Sequence, residues 1–550
     1  MGSVTQEAQL LRDIRRVAVI GAGISGVASA AHLLRYGLDV TVFERSSIAG
    51  GVWHYDPRTA REPPYPNERP PVPANANLEP PSGTLVVVGN GTTPAEEASF
   101  DEVSIAHAPP GPCYVGLRNN VPTSLMRSTL LDWPEGSQDF VSQDHLERYI
   151  QRLAKHTGAQ EKTLYDTSVE SVSKPPGSPQ WTLRSRTLVR LPGTPSAGEN
   201  ENENENDNDY KFVDQTWQFD AVVVASGHYH EPRVPDIPGL QDLKRRFPDR
   251  VMHSKRYRTP EIFRDKNVFI VGAGVSSLDI ARESEATAKH IYQSSRGGKF
   301  DLPLPCCPRA RNEWRGSTAS SRTRVLADNT RLRNIHHVVL GTGYLSSYPF
   351  LAGPPHLQAP DIPLDQAGHQ TIITADGCVT HNLHKDIFYL PDPTLAFVGV
   401  PYHISTFSLF DFQAEVVARV FAGRATLPTE AAMRREYDGR RAKMTTKTEN
   451  SSKEFHSLWG RETEYIDELL GWVNGDAALL GYEGMKGVDD RWRSRREEFA
   501  KKMKEIRRWP PVAGADGDGE EDVEDDGGKD DGLVGKTADV VRASVGIASA

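Results

Sequence analysis

Twice in this 550-residue chain an apolar strand runs directly into a glycine-rich turn and then into helix-like sequence. Val17-Ala18-Val19-Ile20 leads into Gly21-Ala22-Gly23-Ile24-Ser25-Gly26, and Val268-Phe269-Ile270-Val271 leads into Gly272-Ala273-Gly274-Val275-Ser276-Ser277. Strand, tight turn and helix in that order bring unpaired N–H groups and the positive end of a helix dipole to one point, which suits the pyrophosphate of a dinucleotide. A single such turn also occurs for packing alone. Two in one polypeptide predict two dinucleotides held together, which restricts both fold and chemistry.

The first turn carries the fuller pattern. Gly21 can take backbone angles that a side chain forbids, Gly23 lets the backbone approach a pyrophosphate, and Gly26 lets the helix pack closely on its strand. Ala22, Ile24 and Ser25 complete the turn and the helix start. The next apolar strand, Asp39-Val40-Thr41-Val42-Phe43, ends at Glu44, about twenty residues on. A carboxylate there accepts hydrogen bonds from ribose hydroxyls and repels a 2′-phosphate, so this site is expected to hold FAD or NAD and not NADP. The second unit has Gly272, Gly274 and Ser276, but Ser277 replaces the third glycine and Leu278 and Asp279 follow. Its next strand, Ile291-Tyr292-Gln293-Ser294-Ser295, ends at Arg296. A guanidinium takes a 2′-phosphate through charge-assisted, bidentate bonds, with Lys299, Arg309 and Arg311 as nearby competitors. Acid in one unit and arginine in the other predict FAD in the first and NADPH in the second. The predicted fold class is α/β, with two Rossmann-like dinucleotide-binding domains, the NADPH domain being inserted into a split FAD domain.

Gly50-Gly51-Val52-Trp53 follows Glu44 closely, and here the sequence resembles the flavin-containing monooxygenases, whose first unit continues into a Gly-Gly-x-Trp segment under the flavin. Phe247-Pro248-Asp249-Arg250-Val251-Met252-His253-Ser254-Lys255-Arg256-Tyr257 resembles that family's identifying motif, with Asp249 where the family has Gly. The departure bears on the tightness of that turn, and His253 reads as a hinge or positioning residue. Tyr257-Arg258 stands where Baeyer–Villiger monooxygenases carry Trp and then Pro or Asp, which disfavours that branch. Val222-Val223-Val224-Ala225-Ser226-Gly227 and Gly341-Thr342-Gly343-Tyr344 look like the two domain crossings, and Leu395 to Gln413 looks like the last flavin-side strand and helix. The resemblance runs from about Val17 to Gly423, with insertions.

It also implies a site. Tyr114-Val115-Gly116-Leu117-Arg118-Asn119-Asn120-Val121-Pro122 matches the family's segment of Tyr, Leu and Asn, whose Asn lies beside the flavin, making Asn120 the candidate catalytic residue and Asn119 and Val121 cofactor contacts; sequence alone would call Asn-Asn before Val-Pro an ordinary turn. The implied reaction is reduction of FAD by NADPH, capture of O2 as a C4a-(hydro)peroxyflavin, and transfer of one oxygen atom to the sulfur or nitrogen of a small organic substrate. Baeyer–Villiger oxygenation and a flavin-dependent reductase without oxygen transfer stay open as alternatives, as does a scaffold that has lost turnover. No C-x-x-C follows the first unit, which disfavours a disulfide reductase.

The net charge of −10 is concentrated. Asp516 to Asp531 contributes −9 and the Glu-Asn run Glu199 to Asp209 contributes −6, leaving +5 for the rest. Both runs read as disordered, the second at a hairpin tip, and Pro57 to Pro81 reads as an extended surface loop. The boundaries expected are 12–230 and 336–508 for the two parts of the FAD domain, 231–335 for the NADPH domain, and 509–550 for an acidic tail. Only Cys113, Cys306, Cys307 and Cys378 occur, without metal-ligand spacing. No metal, nucleic acid or membrane span is expected, the partners are a small-molecule substrate and O2, and the default location is cytoplasmic. Substrate identity and oligomeric state are open.

Overall fold

The computed structural model describes residues 10–11, 13–71, 85–88, 100–190, 210–295, 301–302, 309–310, 314–317, 324–326, 331–351, 358–445 and 451–508. Apolar central strands, buried on both faces, build a first, seven-stranded sheet whose edge strand Thr163–Leu164 is partly exposed. Its parallel part orders strands Leu395–Phe397, Ala221–Val224, Arg16–Ile20, Asp39–Phe43 and Thr163–Leu164, and Val19 lies between Val42 and Val223. The helix Ile24–Arg35 packs against the helix Thr406–Phe421 in one apolar core. Buried within this layer, Asp411 accepts from the His32 ring at 3.1 Å, from Ser128 Oγ at 2.5 Å and from the Thr129 N–H at 2.8 Å.

A second parallel sheet orders Val251–His253, His337–Leu340, Asn267–Val271, His290–Ser294 and Arg309–Ala310. The strand His337–Leu340 pairs on both sides within this sheet, so the return to the first domain begins at Gly341, not at residue 336. An apolar strand such as His-Val-Val-Leu can serve either sheet, and only its pairing decides. The two crossings meet as a short ribbon, Glu231–Pro232 against Tyr344–Leu345, braced by the Arg233 N–H to the Gly343 carbonyl at 2.9 Å.

Inserted within the first part of the first domain is an antiparallel sheet of Leu85–Val88, Tyr210–Phe219, Trp181–Arg190 and Thr167–Ser173. Arg190 pairs with Tyr210, so the Glu-Asn run connects the two strands of one hairpin; the run itself, like the acidic tail, lies outside the described residues. The Pro-rich segment is more than a surface loop where it is described. Glu62 pairs with Lys244 at 2.8 Å and with Arg256, the Arg256 Nε donates to the Ala60 carbonyl at 2.9 Å, and Asn67 exchanges backbone bonds with Val234. It is a strap onto the second domain, a role that proline content alone does not announce. Asp249 sits in the 3-10 turn Pro248–Arg250 without a positive φ, so the position makes no demand for glycine. Among the described residues no helix is long and apolar enough to cross a membrane.

Candidate active site

Gly21 has φ +104°, and a Cβ on it would lie 2.7 Å from the Ala225 carbonyl oxygen. A Cβ on Gly26 would lie 1.8 Å from the Gly21 carbonyl oxygen, so helix and turn touch there with no room for a methyl group. Gly51 has φ +57°, and a Cβ on it would lie 2.8 Å from the Gly23 Cα. The two glycines thus form a cradle that any side chain would fill. The helix Ile24–Arg35 begins at Gly23 with no capping side chain and no acid in its first turn. Its first N–H groups are left for an anion, as a pyrophosphate requires. Glu44 is buried; its Oε2 accepts the Ala22 N–H at 2.6 Å and its Oε1 the Ser46 N–H at 2.9 Å, which fixes the carboxylate at the strand end. The 3-10 turn Gly51–Trp53 follows, with Trp53 half-buried and edge-on to Phe407 at 6.5 Å. These residues fit FAD.

The second turn repeats the plan. Gly272 has φ +109° and a Cβ on it would lie 2.4 Å from the Gly341 carbonyl oxygen, while Gly274, at the uncapped start of the helix Val275–Ser284, faces open space. Gly274, Ser276, Leu278 and Asp279 line the same cavity as Gly21, Gly23, Ile24, Ser25 and Glu44. That cavity measures about 2950 Å³ and continues past Gly51, Val52, Trp53, Asn119, Asn120 and Val121. Ala22, Gly26, Gly272 and Ser277 are not on its wall. For Ser277 this departs from the expected cofactor contact: the side chain is fully buried, directed at Gly341. Asp279 is also committed to protein, accepting from Tyr114 Oη at 2.9 Å, and burial raises its pKa. One turn on, Glu283 accepts from Tyr257 Oη at 2.7 Å, its pKa likewise raised by burial. Arg296 lies outside the described residues.

The adjacent asparagines differ completely. Asn119 is buried; its Nδ2 donates to the carbonyls of Val121 and Asp139 at 2.7 and 2.8 Å, and its Oδ1 accepts the Val141 N–H at 2.6 Å. That side chain shapes the turn. Asn120 is exposed to the cavity. His253 is fully buried at the crossing: its Nδ1 accepts the Lys255 N–H at 3.1 Å, so the proton is on Nε2, which donates to the Gly343 carbonyl at 3.1 Å. Burial pushes its pKa down to about 3, which fits a positioning residue and not a base.

The sequence pattern of the flavin-binding monooxygenase-like family matches residues 113–303 and 317–482, and that of the FAD dependent oxidoreductases matches 16–57. The chain belongs to the flavin-binding monooxygenase-like family. It is 39% identical over 524 residues to the flavin-containing monooxygenase ustF2 of Aspergillus flavus, covering 89% of this chain and 98% of that protein. Against ustF1 of the same fungus it is 36% identical, covering 87% and 88%. In fold it is similar to the S-allyl-L-cysteine S-oxygenase of Allium sativum, with a TM-score of 0.63 at 24% identity, covering 90% of this chain and 94% of that one.

In this flavin monooxygenase two tyrosines of the quoted motifs have partners that motif reading did not supply. Tyr114 and Tyr257, edge-to-face at 5.4 Å, tie the Asn119 segment and the identifying motif to the carboxylates of the second-domain helix. Their signal was local, an Asp and a Glu four residues apart on one helix face, but their partners lie far off in sequence.

Proposed function

We propose that this monooxygenase consumes NADPH and O2 and places one oxygen atom on the sulfur or nitrogen of a small organic molecule, the other leaving as water. The observation that carries the reading is that both glycine turns and Asn120 open onto one continuous cavity. Bound FAD would supply the oxygen activation, and NADPH the two electrons. The chain's own work is to hold and enclose them. Gly23, Gly51 and the uncapped helix start would cradle the FAD pyrophosphate, Glu44 its ribose hydroxyls, the helix start at Gly274 the NADPH pyrophosphate, and Arg296 the 2′-phosphate. The Asn120 amide, with no partner among the described residues, is available to donate to the cofactors, while Asn119 holds it in place.

Asn120→Ala tests the reading against the reductase alternative. FAD content and melting temperature should be unchanged, and NADPH should still be consumed. Oxygenation of a thioether should fall about 10²–10³-fold, with the oxygen appearing as H2O2, since a preorganised polar contact is lost. Wild-type oxygenation with unchanged peroxide removes Asn120 from the site. A wild-type enzyme that needs an added electron acceptor, with O2 uptake indifferent to thioethers and amines, is a reductase.

A further inference from the structure

The family match ends at residue 482, yet the cavity has a wall beyond it. In the C-terminal helix Asp490–Arg508, Trp492, Arg496, Phe499 and Met503 recur at spacings of four, three and four, which puts them on one face of an otherwise charged helix. Trp492 is buried and its Nε1 donates to the Leu125 carbonyl at 3.3 Å. Asp489 caps the helix, accepting the Trp492 N–H at 2.7 Å, and Arg127 pairs with the same carboxylate at 2.5 Å.

Two arginines fasten the helix to two other segments of the chain. Arg495 pairs with Asp139, whose carbonyl accepts from the Asn119 side chain at 2.8 Å and from the Thr123 N–H at 2.9 Å. Arg496 donates to Glu462 at 2.5 Å, and Glu462 accepts the N–H of Ser405 at 2.6 Å, at the start of the helix Thr406–Phe421. Both guanidinium groups are thereby paired with carboxylates, and Glu498, also on the cavity lining, is shared between Arg495 at 2.9 Å and Lys502 at 3.0 Å. What this wall offers a ligand is Phe499 and Met503, both on the cavity surface.

We infer that this helix is the substrate-side wall of the oxygenation cavity, and that Phe499 and Met503 set specificity by receiving an apolar, uncharged substituent of a thioether or amine. The inference rests on the monooxygenase reading for its substrate class, and on geometry for the wall. Arg495 acts as a positioning residue, through Asp139 on the Asn119 turn.

The test uses the full-length, FAD-loaded enzyme with methyl phenyl sulfide and the larger methyl 2-naphthyl sulfide, read by tryptophan fluorescence titration and by turnover. Phe499→Ala should weaken methyl phenyl sulfide by about tenfold in Kd and KM, as loss of apolar pocket contact does, and favour the larger sulfide. That shift should exceed any change in the KM for NADPH. Phe499→Leu should fall between the two, and Met503→Ala should act in the same direction, which keeps the test valid if Phe499→Ala folds poorly. Arg495→Ala should raise peroxide yield more than it raises the sulfide KM. A sulfide preference unchanged within twofold in Phe499→Leu and Met503→Ala overturns the wall, and so does a wild-type enzyme that binds neither sulfide. Binding of both sulfides without oxygenation instead overturns the monooxygenase reading and leaves the wall standing.

Discussion

In the first dinucleotide unit the close approach of helix and strand is relieved on the helix. Gly26 takes the third glycine position, and the neighbouring strand end, whose carbonyl meets Gly21, carries Ala225. In the second unit the helix position carries Ser277, and the corresponding strand end, whose carbonyl meets Gly272, is Gly341. A Cβ on Gly341 would fall 2.0 Å from Ser277 Oγ. The side chain has moved from one side of the contact to the other. Space for one extra group exists at each crossing, and the chain spends it on the strand in the first unit and on the helix in the second. The serine is therefore a compensated form of the dinucleotide turn and not a weakened one.

The largest expected effect is at Gly26. A methyl group there meets backbone, which cannot swing aside, so Gly26→Ala should displace the helix and cost about 3 kcal/mol or more. The protein should purify with little flavin, read as the ratio of 450 to 280 nm absorbance. Stoichiometric FAD in Gly26→Ala would break the comparison at its first half. Gly341→Ala should cost less, about 1–3 kcal/mol, because its nearest obstacle is a side chain. Adding Ser277→Ala should restore at least half of that loss, a coupling of about 1 kcal/mol in a double-mutant cycle of urea unfolding. Strict additivity would mean that the two residues do not share the contact.

A further difference lies in the joint that carries the second unit. Val251–His253 is its edge strand, and the neutral His253 ring binds Gly343 on the linker ribbon. Its folded-state pKa is depressed by burial to about 3, against about 6.5 in the unfolded chain. Below pH 6.5 the unfolded chain therefore binds a proton that the native state does not. Stability from this group is complete above pH 6.5 and is lost as pH falls toward 3, by about 1.4 kcal/mol per pH unit. His253→Gln should flatten the fall between pH 6 and 5 by about that amount in chemical unfolding; an unaltered slope would remove His253 as its source.

Both turns, Glu44 and the two crossings were legible because each is a short local pattern that follows an apolar strand, with glycines at the turns and crossings and the acid at a strand end. Asn119 and Asn120 are the same letter twice, and only the fold shows that one side chain is consumed by three backbone groups while the other faces the cavity. The exchange between Ser277 and Gly341 spans sixty-four positions, so the serine reads in isolation as a flaw in the motif. The strand His337–Leu340 could have belonged to either sheet, which is why the boundary at 336 fell on the wrong side of it. The wall formed by Phe499 and Met503 carried a helical period, but nothing in a charged C-terminal helix said which surface it would cover.

The smallest effect is the sharpest test of the compensation. Ser277 is fully buried and its Oγ has no hydrogen-bond partner among the described residues. A buried hydroxyl without a partner carries a desolvation penalty and returns nothing for it. Ser277→Ala removes the hydroxyl, keeps the Cβ that this unit tolerates, and places the better helix former in the helix Val275–Ser284. It should raise stability by about 0.5–1 kcal/mol without altering the KM for NADPH, because the residue is not on the cavity wall. A glycine at 277 should forfeit that gain, since the helix interior then loses about 1 kcal/mol relative to alanine. If Ser277→Ala weakened NADPH binding instead, the hydroxyl would be reaching the cofactor, and the third position of the second turn would be a ligand site and not one half of a packing pair.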